Sequence, residues 1–277
     1  MTLISPDPQR SSPPLPDPFL APPAVARRPR RPRLLSYAGR WGRARRWIPE
    51  GAVRIVDVGC SFGYGSAALL GGRRSGRRLV GIERDPDHLA AAAVRYPWIP
   101  VIDADATDLP IADAVADAVT MLDIVEHLDR PEAALNEAHR VLRAGGVLIV
   151  SVPHRGLLER LDALNLYERL RRHRPQWRPL APATTSGGHE HRHYTLPELE
   201  ALLAPGFAVD RVARTGTGVQ ELISLALIAI APRVPPALAR ILALGHLAVY
   251  VLDDLLPLGR KSYHLMVRAR RVGDVRS

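Results

Sequence analysis

The sequence predicts an α/β fold: a doubly wound, mostly parallel sheet covered by helices on both faces. Two observations predict it. Short apolar runs at 53–58, 78–83, 101–103, 117–123 and 146–152 alternate with segments whose apolar residues recur at helical spacing. These runs also end in glycines or carboxylates, at the edge where the strands of such a sheet present a ligand site.

Residues 1–33 hold ten of the 26 prolines and end in a run of arginines and prolines. Proline removes backbone donors and little here is apolar, so a disordered tail is expected, either a solvated leader or a tether to an anionic partner. The strand at 53–58 turns through glycines into a helix over 64–70. The strand at 78–83 leads into a helix over 85–95, with Asp85 as N-cap and Pro86 in the first turn. Three more strands follow at 101–103, 117–123 and 146–152, with a helix over 130–143 between the last two. This core spans about 50–152. Beyond it lie a basic, proline-containing segment (155–188), a helix over 195–204 and strands at 207–214 and 262–270.

Between those two strands, 216–260 is an apolar insertion. Residues 222–231 and 241–252 are apolar nearly all round, interrupted in the second stretch by Gly245 and His246, with Arg233, Arg240, Arg260 and Lys261 at the flanks. Twelve helical residues span about 18 Å, short of a hydrocarbon core of ~30 Å. A helical hairpin is therefore expected, packed inside the protein, at a subunit interface or flat on a membrane surface.

The chain has 277 residues, 47% of them hydrophobic, enough for one sizeable domain with extensions. A single cysteine excludes a disulfide scaffold and an all-cysteine zinc site. The opening residues lack a basic region followed by an apolar stretch, so no secretory leader and a cytoplasmic location are expected. The net charge is +10, but it is unevenly placed: residues 1–54 carry +8 and residues 79–150 carry −8. A protein that tracks phosphates puts its basic stripe across its site, so a nucleic-acid partner is not expected.

The candidate chemistry sits at the strand ends. Asp57, Gly59, Cys60, Gly63 and Gly65 form a glycine-rich turn whose spacing differs from the dinucleotide fingerprint. Glu83 closes the next strand, where a carboxylate can accept two hydrogen bonds from a ribose diol. Asp105 and Ala106 follow the third strand, where a carboxylate and a backbone N–H can read an adenine edge. Asp123 ends the fourth, ahead of Glu126 and His127. His127, His154 and His191, the last between His189 and His193, are candidate bases for taking a proton from an acceptor hydroxyl. The alternating histidines could share one face of an extended segment, but too few further ligands stand nearby, so no metal is expected.

In order, VDVGCSFGYGS, VGIERD, DADATDLP, DIVEHL and RVLRAGGVLIVSVP resemble the motifs of class I S-adenosylmethionine-dependent methyltransferases. The likeness is to the ubiquinone-biosynthesis-type subgroup acting on small molecules and lipids. It continues loosely through 191–212. The resemblance implies a Rossmann-like seven-stranded sheet over 34–277, its last strand antiparallel and preceded by the helical insertion. S-adenosylmethionine is the implied cofactor, and O-methylation of a small-molecule or lipid-linked acceptor the implied reaction. Asp57, Gly59, Gly63 and Gly65 would line its methionine and ribose part, with Cys60 beside them. Glu83 would hold the ribose, Asp105 and Ala106 the adenine, and Asp123 the methionine end. Cys60 departs from a usual small residue, and His154 from a frequent asparagine. The segment 155–205 would cover the acceptor. A nucleic-acid methyltransferase and a non-catalytic scaffold of the same fold are the rivals, and the chain is expected to be a monomer or homodimer.

Overall fold

The computed structural model describes residues 17–20, 39–71, 76–156, 192–230 and 233–273. The strands are β1 (Arg54–Val58), β2 (Arg78–Glu83), β3 (Val101–Asp103), β4 (Ala116–Leu122), β5 (Leu142–Pro153), β6 (Phe207–Thr215) and β7 (His264–Arg271). They form one sheet in the order β3-β2-β1-β4-β5-β7-β6. The first five are parallel, and β7 runs antiparallel to both β5 and β6. The chain winds outward from β1 to β3 and then restarts at β4 on the other side. The gap between the ends of β1 and β4 is thus the switch point, where ligands bind in such sheets.

The period of two along each strand sorts the core into two layers. Val56, Val58, Val119, Leu148 and Val150 face helices α4 (Pro131–Val141) and α5 (Leu196–Leu203). Ile55, Ala118, Val147 and Ile149 face the opposite side, against α1 (Gly39–Trp47) and α2 (Tyr64–Leu70). The helix α3 (Pro86–Arg95) starts as the sequence predicts, since the Asp85 carboxylate accepts from the N–H groups of Asp87 and His88. At α5, Thr195 and Glu198 close a reciprocal capping box.

Several boundaries differ from expectation. The fourth helix stops at Val141, because Leu142 turns extended and pairs with Ala116, so β5 begins four residues earlier than predicted. Helix α1 was not expected at all. Its arginines hide an apolar face on which Ala44 and Ile48 pack into the core. The insertion does form two helices, α6 (Val219–Ile230) and α7 (Pro236–Leu255), and α7 is eight residues longer than its apolar run. Among the described residues no helix is long and apolar enough to cross a membrane.

The expectation that all of 1–33 is solvated is also corrected. Pro18–Leu20 forms a 3₁₀ turn that seats Phe19, only 5% exposed, in the core. Asp17 pairs with Arg54 at 3.0 Å, and Arg78 donates to the Phe19 carbonyl. One aromatic side chain and one ion pair thus pin the leader to the sheet. Truncating Phe19 to alanine should cost about 3 kcal/mol in chemical denaturation; an unchanged midpoint would show that the leader does not pack.

Candidate active site

A cavity of about 890 Å³ opens at the switch point. Its first wall is the turn after β1. Gly59, Ser61 and Gly63 all take left-handed backbone conformations there (φ 74°, 47° and 76°). A Cβ on Gly59 would run into the Ile124 side chain, so only glycine lets this turn close against the β4 end. Strain of this kind in a non-glycine residue such as Ser61 concentrates at functional sites.

Glu83 ties that turn to the next one. Its Oε2 accepts from the Ser61 N–H at 2.8 Å, and its Oε1 accepts from the N–H groups of Arg84 and Asp85, both at 2.9 Å. A carboxylate has about four acceptor positions, so capacity for a ligand hydroxyl remains. Asp105 lines the far wall with Ala106 and Thr107. Burial pushes its carboxyl up, but hydrogen bonds from Thr107 and pairing with Arg84 at 2.7 Å outweigh this and hold it below its ordinary value. Arg84 must therefore share Asp105 with any ligand that reaches it. Phe62, 44% exposed, packs against His88 with ring centres 4.1 Å apart and planes tilted by 53°, and flanks the opening.

Asp123 closes the floor at the end of β4, with φ 55°. Its carboxylate accepts from Ser151 Oγ at 2.7 Å and pairs with Arg40 of α1 at 2.9 Å. Arg40 also donates to His264 Nδ1 at 2.9 Å, which fixes that ring nitrogen as an acceptor. Burial, then the charges of Arg40 and Arg43, drive the His264 pKa well below its ordinary value, so it stays neutral. Sequence reasoning missed this Arg40 link, since 83 residues separate Arg40 from Asp123. Arg40 stands in a basic run with Arg43, Arg45 and Arg46, so nothing local set it apart.

Asp57, Cys60, Gly63 and Gly65 do not line the cavity and instead support it from beneath. Asp57 accepts from Ser66 Oγ at 2.5 Å and Thr120 Oγ1 at 2.6 Å. Burial raises its pKa from 3.8 to about 6, opposed by those two hydrogen bonds and assisted by Glu83. Cys60 packs on Gly81, and burial followed by the nearby carboxylates pushes its thiol far up, so it is an inert packing group. Gly63 and Gly65 make room for Tyr96 and Trp41.

The histidines separate. His127 lies on the cavity wall in the 3₁₀ turn Val125–His127. His154 is buried elsewhere, beyond the end of β5, where Nδ1 donates to the Ser262 carbonyl at 3.0 Å. Burial, then Arg214 and His193, lower its pKa. His191 lies outside the described residues, as does most of the 155–205 segment. Among the described residues no group of three metal-ligating side chains is placed to hold an ion.

Residues 56–150 match the family described as methyltransferase domain. This stretch is what the chain shares with S-adenosylmethionine-dependent methyltransferases. A probable S-adenosylmethionine-dependent methyltransferase of Mycolicibacterium smegmatis is 34% identical over 101 residues, 36% of this chain and 38% of that protein. A malonyl-[acyl-carrier protein] O-methyltransferase of Serratia marcescens is 29% identical over 170 residues, 61% of this chain and 65% of its own. The chain spans well under half the length of the mycobacterial relatives it matches. Among solved structures, an S-adenosylmethionine-dependent methyltransferase from Thermotoga maritima, a possible histamine N-methyltransferase, superposes with TM-score 0.54 at 19% identity, covering 86% of this chain and 92% of that one. The [4+2]-cyclase SpnF gives 0.53 at 22%, covering 83% and 81%. These two share the fold.

The cofactor of the methyltransferase domain is S-adenosylmethionine. The residues present fit it: a cavity of ligand size whose lining includes the carboxylates of Glu83, Asp105 and Asp123, suited to a ligand with hydroxyls and a positive charge.

The Asp57 shift has a testable sign. Its neutral form is favoured in the folded methyltransferase domain, so this stabilisation is complete below pH 3.8 and lost as pH rises through about 6. Asp57→Asn removes the titration. The stability of the native protein relative to this variant should fall by about 1–3 kcal/mol between pH 4 and 7. A pH-independent difference would contradict the burial of a titrating carboxyl.

Proposed function

We propose that this chain transfers the methyl group of S-adenosylmethionine to an oxygen of a small-molecule or lipid-linked acceptor. The observation that carries the reading is the convergence of Glu83, Asp105 and Asp123, from the ends of three successive strands, on one cavity beside the Gly59–Ser61 turn. The relative named as an O-methyltransferase of a malonylated carrier protein supports oxygen as the acceptor atom.

When bound, S-adenosylmethionine supplies a methyl group already activated on a sulfonium, so the protein's task is alignment and exclusion of water. Glu83 would hold the ribose hydroxyls, with Asp105 and the Ala106 backbone at the adenine edge. Asp123 would stand near the positive end, its carboxylate oriented by Arg40 and Ser151. His127, which lies on the cavity wall, would take the acceptor's hydroxyl proton on a ring nitrogen. His127 would keep that proton once the acceptor oxygen has taken the methyl group.

Calorimetry and a tritiated-methyl assay on a metabolite and lipid extract test this. Glu83→Ala should weaken S-adenosylmethionine binding by about 1.5–3 kcal/mol, the worth of charge-assisted hydrogen bonds. His127→Ala should leave that affinity in place and slow turnover about 10²-fold or more. Unchanged binding in the first variant would remove the cofactor assignment; unchanged turnover in the second would remove the base.

A further inference from the structure

We infer that the α6–α7 hairpin docks the protein onto an anionic lipid surface. The described residues that the two helices expose are all apolar: Val219, Ala226 and Ile230 on α6, and Pro236, Ala237, Leu238, Ile241, Gly245, Ala248 and Leu252 on α7. Ile241 and Leu252 are each 64% exposed, well beyond the scattered contact of an ordinary surface. The opposite side of the hairpin is anchored. Asp253 accepts from the Thr217 and Gly218 N–H groups, and Asp254 accepts from Thr215 Oγ1. His246 Nε2 lies 3.3 Å from the Gln220 carbonyl. The apolar face therefore points outward because the polar groups of α7 are used inward.

Charge selects the occupant. Arg233 stands exposed in the turn between the helices, and Arg260 and Lys261 stand exposed just past α7. The described carboxylates of the insertion, Asp253 and Asp254, are both buried. Leu238, Ile241, Gly245, Ala248 and Leu252 recur at spacings of three and four, which also suits a second helix. Pairing with a second copy, parallel or antiparallel, would however set cation against cation at both ends. An apolar face with cations at either end instead matches acyl chains bordered by anionic headgroups.

The hairpin leaves β6 at Thr215 and returns at His264, which pairs with Pro153 at the carboxyl end of β5. It thus rises from the same edge of the sheet as the cavity. Resting on the methyl-transfer reading, the acceptor is then a lipid held in that surface.

Flotation of the full chain with vesicles tests the docking. The protein should float with phosphatidylcholine mixed with phosphatidylglycerol and stay down with phosphatidylcholine alone. Each cation near an anionic surface is worth roughly fivefold, so Arg260→Gln with Lys261→Gln should cut partitioning roughly twentyfold. Ile241→Asp with Leu252→Asp should abolish it. The charge pair lies on an exposed turn and decides the matter if the apolar pair fails to fold. Flotation with neither vesicle, or equally with both, overturns the proposal. So does sedimentation showing that the apolar pair splits a dimer while flotation persists. S-adenosylmethionine titration without vesicles runs alongside. Lost flotation with intact binding defeats the docking alone, and flotation without binding defeats only the methyl-transfer reading.

Discussion

Three backbone N–H groups from two separate turns converge on the carboxylate of Glu83. Without that acceptor, the turn after β1 and the turn after β2 would each leave donors facing the cavity with only solvent to bond. With it, the left-handed Ser61 is held, Gly59 closes against Ile124, and the cavity has a fixed wall. Asp57 does the equivalent work one layer down, receiving Ser66 from α2 and Thr120 from β4. Two carboxylates therefore lock β1, β2 and β4 at the point where the winding reverses. A buried acid favours its neutral form, and burial accordingly raises the pKa of Asp57.

The third carboxylate links this region to the other half of the molecule. Asp123 is held by Arg40, and Arg40 by His264 at the start of β7, so one guanidinium joins α1, β4 and β7. Arg43 of the same helix reaches the Asp254 carbonyl in α7. The floor of the cavity and the base of the apolar hairpin thus share one helix as their common support.

What the sequence disclosed follows from which forces are local. Strand runs such as 146–152 and the Asp85 cap depend on neighbouring residues, and both are visible in order along the chain. The geometry of a strand end also made Glu83, Asp105 and Asp123 legible, since each stands where a strand stops or just beyond. Arg40 was not legible, because its partners at Asp123 and His264 are distant in sequence and its helix reads as a basic run. Phe19 was hidden by the prolines around it. The glycines were found for a partial reason: Gly59 closes the cavity wall, whereas Gly63 and Gly65 yield to Tyr96 and Trp41. His154 looked equivalent to His127 in a list of histidines. Only the packing that buries one and leaves the other on the wall separates them.

The central claim is that the cofactor occupies the cavity at the switch point. Backbone hydrogen exchange with and without S-adenosylmethionine measures this directly, residue by residue. The account predicts added protection at 59–63, 83–85 and 104–107, with little change across α6 and α7. Protection confined to the hairpin, or none at the three turns under saturating cofactor, would contradict it.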